Sequence, residues 1–189
     1  KEPKADGALA QEIKIPERFA DFVLCRRSID ASLRTFAELR DPSTTLADVS
    51  LPPDELRDLK AVLRHFANPS GSSFAYSTGP FMGQRGLAVA LVGPPGTGKS
   101  MLSNAIAHEL RRPLITVDSA TLAGDGRSFV QLIADIFTEA RVQGAVLLFD
   151  RCESVVNKGN AKLPPLLSQL ERQGGLVIFT TNRPDEVDT

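Results

Sequence analysis

Apolar residues follow two different rhythms along this chain. Between Pro16 and Arg40 they recur at three- and four-residue steps: Phe19, Phe22, Val23, Ile29, Leu33 and Phe36. That spacing predicts one face of a helix, broken at most once. The small polar residues before it, 1 to about 15, read as a lead-in. Asp41-Pro42-Ser43 ends the helical pattern, and a second one begins at Pro53. There a first-turn proline is followed by Asp54 and Glu55, both favourable at a helix N-terminus, and Leu56, Leu59, Leu63 and Phe66 form the expected buried stripe. Asn68 to Gly86 is rich in Gly, Ser and Pro and is expected to be a loop.

From Leu87 onward, short apolar runs alternate with helical patterns. Leu87 to Val92, Pro113 to Val117, Ala145 to Phe149 and Gly175 to Thr181 have strand length. Between them, Leu102, Ile106 and Leu110 mark one helix, and Ser128 to Arg141 marks another, with Val130, Ile133, Ile136 and Phe137 expected inward. Leu163 to Arg172 marks a third. Strands apolar on both faces and separated by helices predict a parallel sheet in an α/β fold. The expected organisation is an N-terminal lead-in and helical segment over 1–45, then a three-layer core over 46–189.

Composition adds little beyond exclusions. The 189 residues are 42% hydrophobic and 24% charged, with net charge −1, so neither a general nucleic-acid binder nor a membrane-surface binder is expected. Cys25 and Cys152 match no metal or redox spacing and read as reduced thiols. No run approaches transmembrane length, and the N-terminus lacks the apolar block of a secretory signal. A cytoplasmic protein is the expectation. The chain begins with Lys1 rather than Met, so processing or a longer parent is expected.

The chemistry concentrates at Gly93-Pro94-Pro95-Gly96-Thr97-Gly98-Lys99-Ser100, which fits G-x-x-x-x-G-K-S/T. Wrapping a polyphosphate with backbone N–H groups requires close approach and unusual dihedrals, which glycine supplies. The helix that follows directs its N-terminal N–H groups at the same anion. Lys99 would reach the β- and γ-phosphates of ATP or GTP, and the Ser100 hydroxyl is a hard ligand for Mg²⁺. Met101 completes the expected binding stretch. Val146-Leu147-Leu148-Phe149-Asp150 is an apolar strand ending in a carboxylate. Asp150 would then stand at the C-terminal edge of the sheet, where it can hold the Mg²⁺ hydration shell.

Together, G-P-P-G-T-G-K-S at 93–100, L-L-F-D at 147–150 and F-T-T-N-R-P-D-E-V-D at 179–188 resemble the AAA+ ATPases, closest to their unfoldase and remodelling branch. The resemblance covers about residues 46 to 189. It implies an ATPase that assembles into a ring and remodels a protein, with Lys99, Asp150 and Asn182 at the catalytic centre. Asn182 would be the sensor-1 residue, orienting water or touching the γ-phosphate.

Three departures modify that expectation. Where the family usually has a glutamate after the strand aspartate, this chain has Arg151, and a guanidinium cannot accept a proton near neutral pH. Glu153 lies two positions further on, an offset too large to assume that it takes over as base. The segment in the pore-loop place reads Ala123-Gly124-Asp125-Gly126-Arg127-Ser128, with no aromatic before Phe129. Phe129 reads as the start of a buried helix face, which makes threading of a client doubtful. The family's arginine finger, fifth strand, lid and sensor-2 arginine would lie beyond Thr189, so weak affinity is expected of these residues alone.

The alternative reading is a hydrolysis-deficient scaffold that uses ATP as a structural ligand or switch. A DNA-loading ATPase is a third, with no basic stripe to favour it. His65 and His108 sit on expected helices without metal-ligand partners. Arg111-Arg112 falls in an expected last helical turn, where cations complement the dipole. The Phe19 to Phe36 stripe is read as core or as a partner-docking face.

Overall fold

Strands that are apolar on both sides need a layer on each face, and the chain supplies both. The structure, a computed structural model, describes residues 27–67, 86–156 and 161–183. Its strands are β1 (Ala37–Arg40), β2 (Gly86–Val92), β3 (Leu114–Asp118), β4 (Val146–Asp150) and β5 (Gly175–Thr181). Its helices are α1 (Pro53–Ala67), α2 (Lys99–Glu109), α3 (Ser119–Gly124), α4 (Phe129–Gln143), α5 (Glu153–Val156) and α6 (Leu163–Gln173). The sheet order is β1-β3-β4-β5-β2, with β2 to β5 parallel and β1 an antiparallel edge on β3.

Alternation along the strands divides the core in two. Leu147 and Phe149 of β4, with Val177 and Phe179 of β5, face Ile133, Ile136 and Phe137 of α4 and Leu166 of α6. Val146, Leu148 and Ile178 face the other way, toward Leu63 of α1 and Ile106 of α2. The result is the expected three-layer α/β/α arrangement with an uninterrupted apolar run in the adjacent strands β4 and β5. Phe149 and Phe179, opposite one another in the β4–β5 register, stack with centroids 5.6 Å apart. Among the described residues, no helix is long and apolar enough to cross a membrane.

The four parallel strands fall where expected, and α1, α2, α4 and α6 match the helical patterns to within a few residues. The helix expected over Pro16 to Arg40 does not hold across its described part, 27–40. Residues 31–36 form turns and 37–40 form β1. Ile29, Leu33 and Phe36 are buried as the spacing implied, but by a turn folded against the sheet rather than by a helix. Gln143 Nε2 fastens this segment, donating to the Ser28 carbonyl and to Glu139 Oε1, each at 2.9 Å. Phe19, Phe22 and Val23 lie outside the described residues, as does the loop expected over Asn68 to Gly86 except for Gly86, which begins β2. In α4 the inward residue is Leu132, whereas Val130 is 55% exposed. The Arg111-Arg112 pair lies past the last turn of α2, not within it. Arg111 adopts φ 53°, and the N–H groups of Arg111 and Arg112 close on the carbonyls of His108 and Ala107, a left-handed helix stop.

Candidate functional site

β2 ends at Val92, and the chain must then turn sharply into α2. The Gly93 N–H donates to the Thr181 carbonyl at 3.2 Å, so the loop leaves the sheet beside the end of β5. Gly96 and Gly98 have φ of 84° and 86°. A side chain there would cost about 1–2 kcal/mol in backbone strain, although no atom stands within 4 Å of either ideal Cβ position. Backbone conformation, rather than crowding inside the chain, therefore requires glycine at both. The Thr97 hydroxyl donates to the Pro94 carbonyl at 2.9 Å. Lys99 Nζ donates to the carbonyls of Gly93 and Pro94 at 2.7 and 2.9 Å, tying the loop across its base with two of its three donors.

α2 opens without a side-chain cap and without an acidic residue in its first turn. α1, by contrast, carries Asp54 and Glu55 there. The first N–H groups of α2 thus meet no carboxylate of their own, an arrangement that suits an external anion.

The facing wall comes from the ends of β4 and β5, braced by Asp118 at the end of β3. Asp150 ends β4, and its Oδ1 accepts a hydrogen bond from the Thr180 hydroxyl. The chain then passes through Arg151 at φ 51°, a left-handed conformation unusual for a residue with a Cβ. The Arg151 guanidinium pairs with Asp118 Oδ2 at 2.9 Å, while its Nε stays 3.9 Å from Asp150 Oδ2. Asp118 also caps α3 by accepting from the Thr121 N–H at 2.8 Å. That bond is the largest reason its carboxyl is held below the usual range; burial opposes it, and the Arg151 charge reinforces it. Glu153 Oε1 accepts from the Asn182 N–H at 2.7 Å and from the Thr181 hydroxyl at 2.9 Å. Burial pushes the Glu153 carboxyl up, but those donors, its own N–H and the Arg183 charge outweigh it, leaving the group below its ordinary value. A carboxylate so held is a poor proton acceptor. Burial pushes the Cys152 thiol up to about 12, so it stays protonated and inert.

Between these walls lies a cavity of about 390 Å³. Pro95, Gly96, Gly98, Lys99, Ser100 and Met101 border it from the loop and α2, and Asp150, Arg151, Thr180 and Asn182 from the strand ends. The structure therefore brings Lys99, Ser100, Asp150 and Asn182 to one cavity. Gly93, Pro94 and Thr97 do not border it and instead shape the loop through the bonds above. Ser100 and Asp150 are hard oxygen donors of the kind Mg²⁺ takes alongside phosphate oxygens and water. Among the described residues there is no cluster of three or more His, Cys, Asp or Glu fit for a metal; a magnesium held largely by phosphate and water needs none.

Sequence reasoning passed over Asp118 and Thr180, and it considered Glu153 only as a base. Their one signal was polarity at the ends of otherwise apolar strands: Thr180 and Thr181 are both buried. The segment in the pore-loop place is tied down. The Arg127 guanidinium grips both oxygens of Asp125 at 2.9 Å, donates to the Ser32 carbonyl at 3.0 Å, and lies over the Phe36 ring. Phe129 packs partly buried against the core. Residues 184–188, the end of the third motif, lie outside the described residues.

Known proteins share much of this sequence. The family model described as "ATPase family associated with various cellular activities (AAA)" matches residues 89–189. The chain is 32% identical over 179 residues to the ATP-dependent zinc metalloprotease FtsH 2 of Salinibacter ruber, across 81% of this chain and 24% of that protein. It is 30% identical over 165 residues to the ATP-dependent zinc metalloprotease FtsH of Photobacterium profundum, across 77% of this chain and 22% of that one. The corresponding protein of Rhodococcus erythropolis is 30% identical over 167 residues, 78% of this chain and 18% of its own length. The chain thus spans less than a quarter of the length of these curated relatives.

Proposed function

The chain belongs to the AAA ATPase family, and from that premise we propose that its cavity holds Mg·ATP and that the module couples ATP binding and hydrolysis to the remodelling of a protein partner within a ring of subunits. The observation that carries the nucleotide reading is convergence. A positively charged, glycine-shaped helix entrance and a strand-end carboxylate, distant in sequence, border one cavity. Backbone N–H groups of residues 96–101 and the Lys99 ammonium would cradle the phosphates. Ser100 and Asp150 would hold the magnesium, which when bound neutralises phosphate charge. Asn182, its backbone fixed by Glu153, would present its amide toward the γ-phosphate or the attacking water.

Binding is tested by thermal denaturation of the full-length protein with Mg·ATP and Mg·ADP. A ligand that binds only the folded form raises the melting temperature. No shift, with no calorimetric heat for either nucleotide, would overturn the reading. Sedimentation with and without ATP tests the ring.

Hydrolysis should be slow. Arg151 cannot act as a base, and the Glu153 carboxylate is engaged by Asn182 and Thr181. A positioned general base is worth about 10²–10⁴-fold, so Arg151→Glu should raise steady-state phosphate release by at least the lower end of that range. Equal turnover would count against this account of the site. The protease activity in the relatives' names is not extended to these 189 residues, which contain no H-E-x-x-H.

A further inference from the structure

Thr180 is the next-to-last residue of β5 and is fully buried. The four residues before it, Leu176 to Phe179, are all apolar and buried, so a hydroxyl at this point must find its partners nearby. Its partners all lie at the end of β4 and in the turn that follows. The hydroxyl donates to Asp150 Oδ1 and accepts from the Arg151 N–H at 3.0 Å. The Thr180 carbonyl accepts from the Cys152 N–H at 2.9 Å. One residue of β5 thus holds three consecutive residues across the strand boundary. The parallel register, with Phe149 opposite Phe179, is what brings it there.

We propose that Thr180 is a positioning residue for magnesium: its hydroxyl engages Asp150 Oδ1 and holds the Arg151 turn, which would leave Asp150 Oδ2 for the ion while the guanidinium is carried to Asp118. The inference rests on the nucleotide reading above. An aspartate at a strand end can swing about two side-chain torsions, and a donor on one oxygen selects a single orientation. Arg151 makes that selection matter. Its Nε is already 3.9 Å from Asp150 Oδ2, and its left-handed backbone is costly without support. The Thr180 hydroxyl accepts the Arg151 N–H and so helps to hold that backbone. Released from it, the guanidinium could close on Asp150 and compete with the cation for the same oxygen. Glu153 braces Thr181 and Asn182 instead, which leaves Thr180 as the brace on the magnesium side.

The test compares ATP affinity in excess Mg²⁺ with ATP affinity in EDTA, by calorimetry on the full-length protein and its variants. Thr180→Val keeps the volume and deletes the hydroxyl. Outer partners of metal ligands are typically worth about 10–100-fold in metal affinity, so the magnesium enhancement, the ratio of the two affinities, should fall by about tenfold or more. Thr180→Ser should restore it, which a purely packing role would not do. If the valine variant does not fold, Thr180→Ala deletes the same hydroxyl and serves in its place. An enhancement equal to wild type in the folded variant, or no magnesium enhancement in the wild type, overturns the proposal while leaving nucleotide binding intact. A wild-type protein that binds no ATP in either buffer overturns both.

Discussion

The two walls of the cavity are built in opposite ways. One is a single stretch, residues 93–101, closed mainly by bonds within itself: Lys99 and Thr97 bond back to Gly93 and Pro94. The other is assembled from two strand ends and braced by a third, through bonds such as Thr180 to Asp150 and Arg151 to Asp118 that reach 30 and 33 residues along the chain. The first wall depends on which dihedrals a residue can adopt. The second depends on which residues the sheet register brings together. Substitutions in the first should therefore act through charge or backbone strain at one position, and those in the second through a partner elsewhere.

The sharpest way to break this comparison is Lys99→Ala. Hydrogen bonds to charged groups are worth about 1.5–3 kcal/mol, so ATP affinity should fall by about 10–100-fold in a calorimetric titration. Unchanged affinity would mean that the local wall does not meet phosphate. Next in size is Gly98→Ala. With open space around the missing Cβ, the cost is dihedral strain, about 1–2 kcal/mol in a denaturant melt. Gly98→Asn should cost less, because asparagine tolerates the left-handed region. If alanine and asparagine cost the same, crowding rather than conformation decides the position.

Smallest is Asp118→Ala, which removes the α3 cap and the partner of Arg151, for about 1 kcal/mol. Its pH dependence sharpens the point. The folded carboxyl lies below its ordinary value, mainly through the Thr121 N–H. The contribution is therefore complete above the unfolded pKa of about 3.9 and is lost as pH falls through the lower folded value. The stability gap between wild type and variant should close in acid. A gap that instead widened in acid would show that the carboxylate is not the stabilising form.

Much of this molecule could be read from its residues alone. Four apolar runs became the four parallel strands, the phosphate-loop motif became the strand–loop–helix turn with glycine where φ is positive, and Phe149-Asp150 delivered a carboxylate to the sheet edge. Those outcomes follow from local rules, the period of burial and the reach of single dihedrals. Only the folded chain decided the rest. It made 37–40 an antiparallel edge strand after a turn, although Ile29, Leu33 and Phe36 keep helical spacing, because β3 offered an unpaired edge. It turned Arg151 toward Asp118 and Glu153 toward Asn182, and it gave the two adjacent threonines different partners, Asp150 for one and Glu153 for the other. Spacing along the chain carries no record of which strand ends meet, since that is set by pairing across the sheet.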